Sequence, residues 1–321
     1  MIVATAPVPA LAEELLGEIV VASPDELPAL LPRVEVLIVR GGAVVTADTI
    51  AAAPSLRVIG RSGVGFSEVD VAAATARGIP VVLAPGGAPA VAEGALALLL
   101  ALLKRLPELD RLVKDGRWAD RDHADVRDLD GLTLGIFGFG RIGRRLAQLA
   151  EPLGVRTQFT DPYVDGGLPL EELVATSDAV SIHAPLTDET RGAVDGTLLA
   201  QTKSGLLLLN LARGAIVSSL DDLLAALEAG RLGGVGLDVF EPEPPDPAHP
   251  LFAHPRVVCT PHALWRTPHG VDATFRELAT GVLAALRGER PAHVANPDLY
   301  DAGGNVRFPA AGPSSDILSP Q

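Results

Sequence analysis

Leu132-Thr133-Leu134-Gly135-Ile136-Phe137 is a short apolar run that passes without a break into Gly138-Phe139-Gly140-Arg141-Ile142-Gly143. A segment with apolar residues at Ile142, Leu146, Leu149 and Leu153 follows, which is helical spacing. Strand, G-x-G-x-x-G and helix in that order constrain the fold severely. Gly138 permits a tight turn, Gly140 lets backbone approach a pyrophosphate, and Gly143 lets helix and strand pack closely. The helix N-terminus offers unpaired N–H groups and a positive dipole end to the phosphates. A second strand over 154–160 ends at Asp161, which lies 18 residues after Gly143. An acid there accepts from a ribose 2′-hydroxyl and repels a 2′-phosphate. No base follows closely, because the next residues are Pro162-Tyr163-Val164-Asp165. The expected cofactor is therefore NAD rather than NADP.

The rest of the chain repeats the same alternation. Apolar runs at 34–39, 56–59, 179–182, 205–209, 233–237 and 257–259 are short and mostly continuous, as in strands buried on both faces of a parallel sheet. Helical patterns lie between several of them: 71–77 ending at Gly78, and 220–227 with Ser219 and Asp222 as a capping pair. The pattern predicts an α/β fold with parallel sheets. The 321 residues suggest two domains.

Composition narrows the function classes. There are 26 Lys and Arg against 40 Asp and Glu, a formal net charge of −14. That argues against nucleic acid and anionic membrane as partners, since both are polyanions. Only Lys104, Lys114 and Lys203 are lysines; the other bases are arginines. Cys259 is the single cysteine, which allows no intrachain disulfide and fits a reducing cytoplasm. The N-terminus lacks a basic segment and reads as a first strand, not a signal peptide. The longest apolar run, 94–103, falls short of the ~18–20 residues that span a bilayer. The segment 108–130 reads as a solvated connection, and 301–321 as a disordered tail. His249, His254, Cys259, His262 and His269 match no zinc spacing, so no metal is expected.

Charged residues cluster just after predicted strands. Arg213 follows the strand ending at Asn210-Leu211-Ala212, at the carboxyl edge where open α/β sheets bind ligands. Its fork suits a carboxylate and polarises an adjacent carbonyl. Asp238 ends another strand, Glu243 follows in a proline-stiffened loop, and His262 comes after Thr260-Pro261. Hydride transfer to or from a 2-hydroxy acid also needs a proton moved at the oxygen, for which histidine is suited. A neighbouring carboxylate such as Glu243 would orient the ring and favour its charged form.

These residues together resemble the D-isomer-specific 2-hydroxyacid dehydrogenases, closest to the D-3-phosphoglycerate dehydrogenase and hydroxypyruvate reductase branch. The resemblance covers about residues 34–298 and rests on Val58-Ile59-Gly60-Arg61-Ser62-Gly63-Val64-Gly65, Val91-Ala92-Glu93, the glycine loop, His183-Ala184-Pro185-Leu186-Thr187, Asn210-Leu211-Ala212-Arg213-Gly214, Gly236-Leu237-Asp238-Val239-Phe240 and Thr260-Pro261-His262. It implies that His262 is the general acid in reduction of a 2-oxo acid and the base in oxidation. Glu243 pairs with it, and Arg213 holds the substrate carboxylate and keto oxygen. Asp238 is implied to hold the nicotinamide carboxamide, with Leu211 and Ala212 near the nicotinamide ribose. Gly138, Gly140, Arg141, Ile142 and Gly143 lie against the pyrophosphate, Asp161 binds the adenosine ribose, and His183 and Pro185 complete the cofactor set. On the substrate side, Ser62, Gly63 and Val64 are implied to present backbone N–H groups, and Arg40 matches a position associated with a substrate phosphate.

The sequence departs from that pattern in places. After His262 come Ala263-Leu264-Trp265-Arg266 where phosphoglycerate-type members carry Ile-Gly-Gly, which resembles some hydroxypyruvate and glyoxylate reductases more. Gly41 stands where the branch often has Ser, and Val82-Leu83-Ala84-Pro85 replaces Asn-Thr-Pro. The C-terminal regulatory domain of longer relatives is expected to be absent. Arg40, Arg61 and Arg266 either form a second anion site or pair with structural acids. The rival from another class is a non-catalytic NAD(H)-sensing protein of the corepressor type, against which the presence of Arg213, Glu243 and His262 together argues.

The architecture expected is two doubly wound parallel-sheet domains. A Rossmann-type NAD domain, 93–266, is inserted into a flavodoxin-like substrate domain formed by 1–92 and 267–300, with the ligands in a cleft between them. The leucine-rich helix over 94–106 is expected to help form a homodimer.

Overall fold

A computed structural model describes residues 1–301, 303 and 304. The tail expected over 301–321 lies, apart from Asp301, Gly303 and Gly304, outside the described residues. The chain divides into two compact units: Met1–Gly87 with the chain from Pro268, and Ala88–Thr267.

The first unit holds five parallel strands, β1 (Ile2–Ala4), β2 (Ile19–Val21), β3 (Val36–Val39), β4 (Val58–Arg61) and β5 (Val81–Leu83), in the order β2-β1-β3-β4-β5. This is the flavodoxin-like winding. Both faces are covered, which is why the strand sequences are continuously apolar. Ile2, Ala4, Val36, Ile38 and Val58 face Phe275, Leu278 and Val282 of the helix Pro268–Leu286. Val3, Leu37, Val39, Ile59 and Val81 face the opposite layer with Ile50, Ala53 and Ala74. Asn296 pins the returning chain to β5. Its Oδ1 accepts from the Val81 N–H at 3.0 Å and its Nδ2 donates to the Ile79 carbonyl at 2.9 Å.

The second unit holds β6 (Thr133–Phe137), β7 (Arg156–Thr160), β8 (Ala179–Ile182), β9 (Leu206–Asn210), β10 (Leu232–Leu237) and β11 (Val257–Cys259), all parallel, in the order β11-β10-β9-β8-β6-β7. It is doubly wound, as expected. Because β7 and β8 flank β6 on opposite sides, the order switches there, and ligand crevices form at the carboxyl ends of such strand pairs. Gly138 follows β6 and His183 follows β8.

The helix Ala88–Leu103 is continuous, so the units part earlier than the expected 92/93 boundary. With the turn before it, the stretch Pro85–Leu103 is 19 residues long with mean hydropathy 1.8. By length and composition alone that could cross a membrane, whereas the run read from the sequence was shorter. Half of the stretch is buried in the structure. Leu98, Leu99, Leu102 and Leu103 pack with Leu134, Ile136, Leu146, Leu207 and Leu209 in one core layer. The core therefore accounts for much of the apolarity on which the expected subunit interface rests. The expected solvated connection contains a helix, Leu106–Lys114, and a 3₁₀ segment, Trp118–His123. Exposed apolar side chains are found there: Leu106, Val113, Trp118 and Val126.

Candidate active site

The glycine loop is built as its spacing demands. Gly138 has φ 95°, and a Cβ there would lie 2.6 Å from the Ala184 Cα. Only glycine fits where the loop crosses the chain leaving β8. A Cβ on Gly143 would overlap the Gly138 carbonyl and lie 2.8 Å from Ile136 Cγ2, so the helix Arg141–Ala150 could not seat on β6. Gly140 is different: a Cβ there would meet nothing within 4 Å. The fold leaves that space open in front of the helix N-terminus, with Arg141 exposed and Ile142 partly buried beside it.

Asp161 closes the loop from β7. Its Oδ2 accepts from the Phe139 N–H at 2.8 Å and its Oδ1 from the Tyr163 N–H at 2.9 Å. Phe139 stacks on Phe159 at 4.1 Å, and the Arg144 guanidinium lies 4.7 Å from the Phe139 ring centroid. Carboxylate oxygens have further lone pairs, so Asp161 can still accept from a ribose hydroxyl. His183 is buried enough that desolvation pushes its imidazole down to about 3. Its Nε2 lies 2.8 Å from the Ser181 hydroxyl, while its buried Nδ1 has no hydrogen-bond partner among the described residues. Pro185 is exposed nearby in sequence. The open space at Gly140, the helix N-terminus, an acid at the end of β7 and an unpartnered buried nitrogen after β8 fit a dinucleotide.

The structure brings Arg213, Glu243 and His262 together. Glu243 Oε2 lies 2.9 Å from His262 Nδ1, and Oε1 accepts from the Phe240 N–H at 3.1 Å. Burial pushes the Glu243 carboxyl up. The His262 hydrogen bond and charge, the Phe240 N–H and the Arg213 charge outweigh it and hold the group below its ordinary value. Both side chains of the pair are about 40% exposed, which leaves the far edge of the imidazole accessible (39% for His262, 40% for Glu243). Gly214 makes the juxtaposition possible, since a Cβ there would overlap the Phe240 carbonyl group and lie 2.5 Å from the Glu241 N.

Two residues given no role in the sequence reading set this geometry. Asn210 is 1% exposed at the end of β9. Its Oδ1 accepts from the Ala212 N–H at 3.1 Å and its Nδ2 donates to the Arg213 carbonyl at 2.9 Å. It therefore clamps the backbone that carries Leu211, Ala212 and Arg213. Thr260 is the other: its hydroxyl donates to Asp238 Oδ1 at 2.6 Å. The available signal was a polar residue at the end of an otherwise apolar strand.

The remaining residues are placed as follows. Asp238 is 3% exposed. Burial raises its carboxyl above the ordinary value, against the pull of Thr260, the Ala263 N–H, His262 and the Leu264 N–H. Arg266 is exposed and lies over the Trp265 ring at 5.8 Å. In the first unit, Arg40 follows β3 with its backbone clamped by the Thr5 hydroxyl, and its guanidinium sits 4.9 Å from the Phe275 ring centroid. Arg61 pairs with Glu68 at 3.7 Å, the structural alternative of the two. Among the three amides expected to face a carboxylate, the Gly63 N–H donates to the Arg61 carbonyl at 2.9 Å and the Ser62 N–H to the Val39 carbonyl at 3.5 Å. Val64 is exposed. Cys259 is exposed, and desolvation pushes its thiol up to about 11, which disfavours the thiolate. Among the described residues no group of three or more His, Cys, Asp or Glu could hold a metal.

Residues 96–263 match the family model described as "D-isomer specific 2-hydroxyacid dehydrogenase, NAD binding domain". The chain belongs to this family. Among curated relatives, it is 38% identical over 304 residues to the D-3-phosphoglycerate dehydrogenase of Mycobacterium tuberculosis, covering 92% of this chain and 56% of that protein. The chain spans about half the length of the curated relatives it matches. Among solved structures, the TT0316 protein from Thermus thermophilus aligns with a TM-score of 0.83 at 36% identity, covering 92% of this chain and 99% of that one. The D-lactate dehydrogenase of Aquifex aeolicus, solved with NAD and lactic acid, aligns with a TM-score of 0.81 at 27% identity over 98% and 99% of the two chains.

Proposed function

We propose that the protein is an NAD-dependent D-2-hydroxyacid dehydrogenase, interconverting a 2-oxo acid and a D-2-hydroxy acid. The substrate is a small anionic acid of the hydroxypyruvate or glyoxylate type, or a phosphorylated or phosphonate analogue. The observation that carries this reading is the His262 Nδ1 contact with Glu243 Oε2 at 2.9 Å, with the Arg213 charge acting on the same carboxylate. The fold leaves room for a pyrophosphate at Gly140, and the Aquifex relative's lactic acid and NAD give the substrate class.

Bound NAD supplies a two-electron hydride acceptor, and NADH the donor. Arg213 pairs with the substrate carboxylate and polarises the 2-oxo group. Glu243 takes the Nδ1–H of His262, which fixes the ring and leaves Nε2 to carry the transferred proton. In reduction Nε2–H gives its proton to the oxygen that gains charge, and in oxidation neutral Nε2 takes it back. The Glu243 carboxylate meets the ring at Nδ1, opposite the nitrogen that exchanges the proton. Asp161 accepts from the adenosine ribose and disfavours a 2′-phosphate.

The purified protein should oxidise NADH with at least one of glyoxylate, hydroxypyruvate, phosphohydroxypyruvate or an apolar 2-oxo acid. His262→Ala should abolish turnover and keep NADH binding. NADH binding without turnover across the panel would instead favour the sensor. We further propose a homodimer, supported by the exposed Leu106, Val113, Trp118 and Val126, which lie close in sequence on a segment that includes an amphipathic helix, and a cytoplasmic location, in keeping with the single cysteine. Monomeric scattering at micromolar concentration would sink the dimer.

A further inference from the structure

We propose that Thr260 is a positioning residue: its hydroxyl holds the Asp238 carboxylate, and through that carboxylate the turn that carries His262. The inference rests on the reading of His262 as the proton donor.

His262 is one of two non-glycine residues at positive φ among the described residues, at 52°. An L residue in the left-handed region is disfavoured and persists only where its surroundings hold it. Pro261, just before it, has no N–H to contribute. Backbone bonds supply part of the hold, from the Thr260 N–H to the Leu237 carbonyl at 2.8 Å and from the His262 N–H to the Thr260 carbonyl at 3.1 Å, and the rest converges on one buried side chain. Asp238 Oδ1 accepts from the Thr260 hydroxyl at 2.6 Å and from the Ala263 N–H at 3.1 Å. Its carboxylate also bonds the Leu264 N–H. The residues on both sides of His262 thus converge on one carboxylate. Asp238 is itself fixed by its own N–H, which donates to the Asn210 carbonyl at 3.0 Å.

The arrangement works only while Asp238 is ionised. A protonated carboxyl loses acceptor strength, and the two N–H bonds weaken together. Burial already favours protonation, so each donor counts. Thr260 contributes the short O–H···O bond, and its hydroxyl has no second partner among the described hydrogen bonds. The charged group facing Asp238 is His262; Glu243 reaches the same imidazole at Nδ1, and the Arg213 charge acts on Glu243. Those three remain when Thr260 is replaced, so a change in Asp238 behaviour reports the hydroxyl.

The test compares full-length wild type with Thr260→Val and Thr260→Ser. With NADH and the best substrate of the panel, kcat is measured from pH 4.5 to 8, alongside NADH affinity by fluorescence. Thr260→Val is expected to lose about tenfold in kcat at neutral pH. Its acid limb should move up by about one pH unit, the size expected for one lost hydrogen bond to a charged acceptor. Thr260→Ser should keep both values. An acid limb that stays put, or a serine variant that behaves like valine, would overturn the proposal, because a merely structural threonine lowers kcat without moving the limb. Should Thr260→Val not fold, Thr260→Ala gives the same comparison without the extra methyl. A wild-type protein that reduces no 2-oxo acid sinks the functional reading alone. The Asp238 carboxyl is then titrated directly by carbon-13 NMR in the same variants, and an unmoved midpoint in Thr260→Val overturns the positioning role.

Discussion

Replacing Gly214 by alanine should disable the acid–base pair without touching any member of it. The added Cβ would overlap the Phe240 carbonyl and lie 2.5 Å from the Glu241 N, so one backbone must move. Gly214 itself is held. The Arg213 carbonyl before it accepts from Asn210 Nδ2 at 2.9 Å and from the Ile216 N–H at 3.2 Å, and the Gly214 carbonyl accepts from the Val217 N–H at 3.0 Å. The Phe240 loop is the side that gives. Because the Phe240 N–H holds Glu243 Oε1 at 3.1 Å, displacement of Phe240 carries Glu243 away from His262. Overpacking of this kind costs about 1–3 kcal/mol. In a unit of this size each kcal/mol corresponds to about 2–4 °C in Tm. A misplacement of about 1 Å at a reacting group costs on the order of a hundredfold in rate. Gly214→Ala should therefore fold, melt some 2–12 °C lower by calorimetry, bind NADH, and lose about a hundredfold in kcat. A kcat within twofold of wild type with a lowered Tm would refute the coupling of Phe240 to Glu243; unchanged values of both would refute the close approach itself.

Gly140→Ala should show the opposite signature: its Cβ meets nothing, so Tm should hold, while NADH affinity falls about ten- to a hundredfold if one or two phosphate hydrogen bonds are lost. Equal NADH affinity in titration calorimetry would argue against a pyrophosphate at this loop. Asn210→Ala strands the Ala212 N–H and leaves the Arg213 carbonyl only its Ile216 N–H, at a cost of about 1–3 kcal/mol, and should raise KM for the 2-oxo acid by about tenfold or more. Asn210→Asp should be no better, since it sets a carboxylate against the Arg213 carbonyl; wild-type KM in either variant would count against the clamp. Glu243 is held below its ordinary value of 4.5, so its stabilisation is full above that pH and is lost as pH falls through the lower folded value. Glu243→Gln should then lose less Tm than wild type as pH falls below about 4.5, and parallel melting curves there would contradict the ion pair.

What the sequence disclosed, and what it hid, follows from the range of each interaction. The glycine loop was legible because its demands are local: Gly143 must clear the carbonyl of Gly138, only five positions away. Arg213, Glu243 and His262 were legible because each follows a strand end, where parallel sheets gather side chains. Asn210 went unassigned although its partners are two and three residues on, since it looked like the last residue of a leucine run. Thr260 reaches 22 residues back to Asp238, and nothing in the intervening chain announces that contact. The sequence around Arg61 suits an anion site or a structural pair equally, and only folding brings Glu68 within 3.7 Å. The helix Leu106–Lys114 was read as solvated chain because its charges dominate, yet Arg105–Glu108 and Asp110–Lys114 are the three- and four-residue pairs that support an exposed helix.

The net charge of −14 sets a limit on how the proposed anions are held. Repulsion from the whole chain is screened over roughly 8 Å at physiological ionic strength, so the groups within that distance decide affinity. With His262 protonated, Arg213, His262, Glu243 and Asp238 sum to zero, so a substrate carboxylate is held by its close contact with Arg213 rather than by a net local charge. With His262 neutral the four sum to one negative charge, and the same carboxylate enters against it. The 2-oxo acid is bound in the first state and the 2-hydroxy acid in the second, because reduction delivers the imidazolium proton to the substrate oxygen. Raising the salt concentration screens the distant acids more than the close contacts. Substrate capture in this protein should accordingly withstand moderate salt, unlike capture steered by a positive field, which weakens steeply.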